Sequence, residues 1–250
     1  MKLLALDSAT DRLALGVAHG AQAWHFNGPG GAQASATLIP SALAGLEQCG
    51  LNCAALDAVA CGIGPGAFTG VRTAVSVAQG LAFGAGKPVL AIDSLLIVAE
   101  DARQQAAAAG PPGATFALWV VMDARMDEVY AAAYRHDGQA WQVSQAPALY
   151  DLPRLAQCWQ AEPPAALAGS ALAAFGKRLP AAGVPAWPQE ADRAAALLRL
   201  ARQAWACGQH RPPEQLQPVY LRDKVALTTA ERDAARQAAA LAGPGTAVLP

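Results

Sequence analysis

Two aspartates carry the first chemical question. Asp7 closes the apolar run Leu3-Leu4-Ala5-Leu6, and Asp123 closes Leu118-Trp119-Val120-Val121-Met122. Each ends a segment that reads as a short buried strand, at the mouth of a turn. On two α/β halves, carboxylates so placed face one cleft and can hold a metal–phosphate complex. The commoner use of Asp at such a place is local, accepting backbone N–H bonds of the turn that follows. A glycine loop adds to the chemical reading: Gly62-Ile63-Gly64-Pro65-Gly66-Ala67-Phe68-Thr69-Gly70 sits between an expected strand and an expected helix. Free N–H groups at a helix start cradle anions, which makes Gly64 and Gly66 nucleotide candidates beside Asp7 and Asp123. No Lys-Ser/Thr follows the last glycine, so this is not a P-loop. Close packing of a strand-to-helix turn explains the same glycines equally well.

Other chemistries lack their residues. His19, His25, His136 and His210 form neither HxxxH nor HExxH, and Cys49-x-x-x-Cys53 has no second pair. No zinc site is expected on that basis. A G-x-S-x-G elbow is missing as well. The sequence therefore offers no catalytic residue and no metal ligand set.

Composition narrows the classes. The 250 residues carry a net charge of −1, without the basic stripe that generic nucleic-acid binding requires. Alanine accounts for 63 positions, and Arg outnumbers Lys 14 to 4, a pattern of genomic base bias that predicts a surface padded with alanine. Enough larger apolar residues remain for a folded core. No uninterrupted apolar run is long enough to span a bilayer, and the start is too short for a signal peptide. Five scattered cysteines point to a reducing cytoplasm and no disulfide framework.

The elements that must position these residues follow from periodicity. Strands are expected at 3–7 and 13–18, then a loop at 28–31. A helix capped by Ser35 follows, with Pro40 in its first turn. Next come a strand at 56–61, a helix at 71–82 beyond the glycine loop, and a strand at 88–92. A helix from Ser94 to Ala109 stops at Gly110-Pro111-Pro112-Gly113, the expected domain boundary. After it the opening pattern returns. Asp11 and Asp127 share one register with Asp7 and Asp123 at an offset of 116 residues, which makes a duplicated half as good a reading as chance. A helix capped by Asp192, a short strand at 219–221 and a loose helix from Thr228 complete the chain. Small residues along the helix after Gly70, with Ala74, Ala78 and Ala82 at i, i+4 spacing, suit either a subunit interface or packing on the helix's own sheet.

Four segments occur in order: Leu3-Leu4-Ala5-Leu6-Asp7-Ser8-Ala9-Thr10, Gly64-Pro65-Gly66-Ala67-Phe68-Thr69-Gly70-Val71-Arg72, Met122-Asp123-Ala124-Arg125-Met126-Asp127-Glu128-Val129-Tyr130 and Pro218-Val219-Tyr220-Leu221-Arg222. With them the chain, to about residue 225, resembles the TsaB (YeaZ) family. The resemblance implies a two-lobed actin/Hsp70/sugar-kinase-like fold with duplicated ribonuclease-H-like halves: lobes at 1–109 and 114–225, and a partly disordered tail at 226–250. It implies a non-catalytic subunit, without cofactor, that supports the paralogous transferase TsaD. With TsaE, these proteins place threonylcarbamoyl on adenosine 37 of tRNAs reading codons that begin with A. The tRNA is reached through the complex, no membrane is involved, and a homodimer is expected in the absence of TsaD. On this reading the interface is Ala74, Ala78, Leu81 and Ala82. The metal-binding histidines of TsaD correspond to Ser94 and Val98, neither of them a ligand for iron or zinc. Ala34-Ser35-Ala36 replace a His-Ser-Glu common in the family. The alternative from another class is an ATP-binding enzyme of the same fold, a kinase or transferase resting on Asp7, Asp123 and the glycine loop.

Overall fold

The computed structural model describes residues 1–110, 115–179 and 183–222. Two five-stranded sheets repeat one plan. In the first, β1 (Lys2–Asp7), β2 (Arg12–His19) and β3 (Gln22–Pro29) form an antiparallel meander. β4 (Ala58–Gly62) and β5 (Val89–Ile92) run parallel on the other side of β1, giving the order β3-β2-β1-β4-β5. The second sheet is built from β6 (Phe116–Asp123), β7 (Glu128–His136), β8 (Trp141–Asp151), β9 (Leu167–Ala168) and β10 (Ala186–Trp187). Its order, β8-β7-β6-β9-β10, and its strand directions match the first. Helices take matching places too. α1 (Ala34–Gln48), α2 (Phe68–Ala85) and α3 (Ser94–Ala109) follow β3, β4 and β5, as α4 (Leu152–Ala161), α5 (Ala171–Phe175) and α6 (Arg193–Ala206) follow β8, β9 and β10. β1 and β6 are thus equivalent, and Asp7 and Asp123 end them at equivalent points.

The covering of the sheets explains the sequence patterns. β1 and β4 are apolar on both faces because helices lie on both sides of them, so they read as runs rather than as alternations. One face of the first sheet holds α1 and α2 over Leu4, Leu6, Leu15 and Val59, and one face of the second holds α4 and α5 over Trp119, Val121 and Val129. The remaining faces are covered by exchange. α3, the last helix of the first half, lies on the second sheet, packing Leu95, Val98 and Ala102 against Leu118, Val120 and Tyr134. α6, the last helix of the second half, lies on the first sheet, packing Leu197, Leu198 and Ala201 against Leu3, Ala5 and Leu90. α3 and α6 also pack on each other.

Several expectations need correction. Alanine is not confined to the surface: Ala5, Ala14, Ala58, Ala60, Ala194 and Ala201 are wholly buried, where small side chains let α6 approach the sheet closely. The segment at 28–31 is not all loop, because β3 extends to Pro29 as the sheet's outer strand. Gln33, not Ser35, holds the cap position of α1, and a 3-10 turn at Gly31–Gln33 leads into the helix. Pro40 lies inside α1 rather than in its first turn. Residues 219–221 form no strand. α3 starts and ends where expected, with Asp93 as its cap. The boundary residues 111–113, the helix from Thr228 and the tail at 226–250 lie outside the described residues.

Candidate functional site

A cleft of about 730 Å³ opens between the halves. The turn after β1 contributes Ala9, Thr10 and Asp11, and the glycine loop contributes Pro65, Gly66, Ala67 and Phe68. Across from them lie Asp123, Ala124, Arg125 and Met126 of the turn after β6, while Ser94 and Arg193 close the floor. Asp7 is absent from this lining and has no exposed surface.

Asp7 turns away from the cleft because three segments converge on its carboxylate. Oδ1 accepts Ala9 N at 3.2 Å and Arg193 Nε at 3.0 Å, and it lies 3.0 Å from Arg193 Nη2 as an ion pair. Oδ2 accepts the Ser94 hydroxyl at 2.7 Å, and Ser94 Oγ in turn accepts Gly64 N at 2.9 Å. Arg193 spends its remaining donors on Glu190 Oε1 at 2.7 Å and on the Ser94 carbonyl at 3.3 Å. Burial disfavours a charged guanidinium, but the carboxylates of Asp7 and Glu190 overcome it, and Arg193 holds its proton more firmly than an exposed arginine. Nearby, burial and then the charge of Asp7 push the Cys61 thiol well above its usual range. Asp93 accepts Leu95 N and the Tyr134 hydroxyl, the latter at 2.5 Å; burial still holds its carboxyl above the ordinary range.

The glycine loop packs directly on the turn after β1. A Cβ on Gly66 would strike the Ala9 carbonyl, and one on Gly70 would strike the Ser8 carbonyl, whose residue also donates its own hydroxyl to Gly70 O. Close packing therefore accounts for these glycines. Gly64 has φ 95° and is tied to Ser94 by both its N–H and its carbonyl.

The matching turn of the second half is open. Asp123 accepts Arg125 N at 2.8 Å and Arg125 Nη1 at 3.1 Å, with the Arg125 side chain 86% exposed. Arg125, Met126 and Asp127 all have positive φ (61°, 55° and 62°). That left-handed path costs non-glycine residues energy and persists only where neighbours fix it. Here the neighbours are arginines: Arg222 donates to Ala124 O and Arg125 O and pairs with Glu128 at 2.6 Å, and Arg178 pairs with Asp127. Arg222 belongs to a strap that crosses the cleft mouth. On the first half the strap is held by Val219 N on Ile63 O, at 2.8 Å, and by the Tyr220 hydroxyl, which accepts Arg72 Nε at 2.7 Å. Arg72 also stacks over Phe68, 3.7 Å from the ring centroid.

A metal–nucleotide held between the halves needs a carboxylate with a free face toward the cleft. Asp123 has one; Asp7 does not, so the two aspartates do not form the pair that the sequence suggested. Among the described residues, no three His, Cys, Asp or Glu side chains gather as a metal site. The sequence reading missed Arg193 altogether, as well as the braces Arg178 and Arg222. The expected interface alanines are also corrected: Ala74, Ala78 and Ala82 are wholly buried against the chain's own core, and Leu81 is partly buried against it. The outer face of α2 instead presents Thr69, Arg72, Ser76, Gly80 and Phe83. No described helix is long and apolar enough to cross a membrane.

The duplicated halves and the cleft between them define a two-lobed protein of the actin/Hsp70/sugar-kinase-like class, and residues 31–208 match the family model of TsaD, tRNA N6-adenosine threonylcarbamoyltransferase. The tRNA threonylcarbamoyladenosine biosynthesis protein TsaB of Escherichia coli (strain K12) is 30% identical over 243 residues, covering 90% of this chain and 96% of its own. Its Haemophilus influenzae namesake is 36% identical over 130 residues, 52% of each chain. The solved structure of an uncharacterized Pseudomonas aeruginosa protein with similarity to peptidase YeaZ superposes with a TM-score of 0.76 at 35% identity, over 88% of this chain and 99% of that one. The chain belongs to the TsaB (YeaZ) family.

Proposed function

We propose that this chain serves tRNA threonylcarbamoyladenosine biosynthesis in the cytoplasm as a non-catalytic subunit supporting the transferase TsaD, together with TsaE. The near full-length similarity to E. coli TsaB carries this reading. The chemistry of the site supports it. By the family resemblance, the metal-binding histidines of TsaD fall near Ser94 and Val98. Here Ser94 is a buried hydrogen-bonding link between Asp7 and Gly64, and Val98 is core under the second sheet. Neither position is open to a metal, and the enzyme reading also lacks a free carboxylate at Asp7. The tRNA, carrying adenosine 37, is reached through the complex.

The partner-facing surface is the outer side of the α1–α2 pair. α1 exposes Ile39 and Leu43, at 43% and 48%, and α2 exposes Ser76, Gly80 and Phe83, the last at 59%. Apolar residues beside small ones suit a close helix–helix contact, with TsaD or with a second copy when TsaD is absent. The test is reconstituted threonylcarbamoyl transfer with TsaD and TsaE, with and without this chain. Transfer should require the chain, the chain alone should give none, and Leu43→Asp with Phe83→Asp should abolish its association with TsaD. Turnover by the isolated chain, or full transfer without it, would refute the proposal.

A further inference from the structure

We infer that Arg193 is a resident cation that, in place of a bound metal–nucleotide, ties β1 of the first sheet to the starts of α6 and of α3, which lies on the second sheet, so that the two lobes are held in one arrangement by the chain itself. The inference is independent of the tRNA reading. It rests on where the four partners come from. Asp7 ends β1 in the first sheet, Ser94 starts α3, Gly64 lies in the glycine loop, and Arg193 opens α6, which follows the second sheet. One guanidinium thus joins the end of the second half to the centre of the first, with all of its nitrogens engaged.

The start of α6 is fixed to the first half at further points. Asp192 caps the helix through Ala195 N and also accepts Asn27 Nδ2 at 2.8 Å, and Asn27 Oδ1 accepts Ala194 N at 3.0 Å. Asp101 of α3 accepts Ala191 N and Asp192 N at 2.9 and 2.7 Å. Arg193 is therefore delivered to Asp7 by a rigid, doubly capped helix end rather than by a mobile loop. A divalent cation at Asp7 would have to displace a guanidinium that, like the carboxylate, has no exposed surface. An ordinary ligand-driven hinge needs the opposite arrangement, a carboxylate left free until the ligand arrives.

Amide hydrogen exchange followed by mass spectrometry tests this on the full chain. In the wild type, an excess of Mg²⁺–ATP should leave exchange at 5–11, 62–70 and 93–102 unchanged. The neutral pair Asp7→Asn with Arg193→Met, made together with Glu190→Gln because Glu190 also loses its partner, leaves no unpaired buried charge. It should speed exchange about tenfold or more at 93–102 and 190–200, with α1 and α4 unaffected. Arg193→Lys keeps the charge but loses the forked geometry, and should fall between the two. Nucleotide-dependent protection around Asp7 in the wild type, a neutral pair that exchanges like the wild type, or acceleration spread evenly over the chain would each overturn the inference.

Discussion

The turn after β1 and the turn after β6 occupy the same place in two copies of one plan, yet they are held by opposite means. The first is buried: its carboxylate is matched by an internal guanidinium, and its backbone is roofed by the glycine loop. The second is exposed, follows a left-handed path over three residues and is braced from outside by Arg178 and Arg222. Duplication conserved the position of the aspartate and not its job. A buried pair is weak as a net source of stability but costly to break, whereas surface pairs contribute little either way. The first turn is thereby committed to architecture, and the second keeps its side chains available.

The contrast is tested most severely by removing the arginine that pairs with the aspartate of each turn. Arg193→Ala leaves Asp7 charged and unpaired in the core and should cost about 3–5 kcal/mol, enough to threaten folding. Arg125→Ala should cost no more than about 1 kcal/mol. Equal losses in urea denaturation would erase the distinction. Next in size is Gly70→Ala, whose methyl group meets the Ser8 carbonyl, and a loss of about 1–3 kcal/mol is expected from overpacking. A smaller effect of opposite sign separates the turns again. Met126→Gly relieves a positive φ at a position 58% exposed and should stabilise by about 0.5–1 kcal/mol, whereas Ala9→Gly, in the buried turn, should destabilise. A loss for Met126→Gly would mean that Arg222 draws more from that side chain than its path costs. The smallest effect is electrostatic. The hydrogen bond from Arg178 holds the Asp127 carboxyl below its ordinary range, so whatever it contributes is present above the unfolded pKa and lost as pH falls through the folded one. Arg178→Ala should move the Asp127 titration, followed by NMR, back up toward the usual value near 3.9. An unmoved titration would show that the pair does not persist in solution.

Much of this plan was legible in local pattern. The twin strands ending in Asp7 and Asp123, and α3 with its ends at Ser94 and Ala109, follow from apolar runs and stop signals. β3 was not legible at all, because an outer strand exposed on one face carries little apolar alternation and ends in Gly and Pro. The stripe of Ala74, Ala78 and Ala82 correctly signals a close approach, but spacing does not say whether the neighbour is a second molecule or the helix's own sheet. Arg193 was invisible for a different reason. It lies 186 residues from Asp7 in a segment that reads as an ordinary helix start, and only the exchange of α3 and α6 brings the two together.

That exchange also sets an order on synthesis. When residues 1–110 have left the ribosome, every strand of the first sheet exists, but the helix that covers Leu3, Ala5, Ala14 and Leu90 is still about eighty residues from being made. The early half therefore waits with one apolar face bare, holding a place for a helix that arrives last, and its core closes only when the late half does. A nascent chain in this condition is a natural client for a holding chaperone.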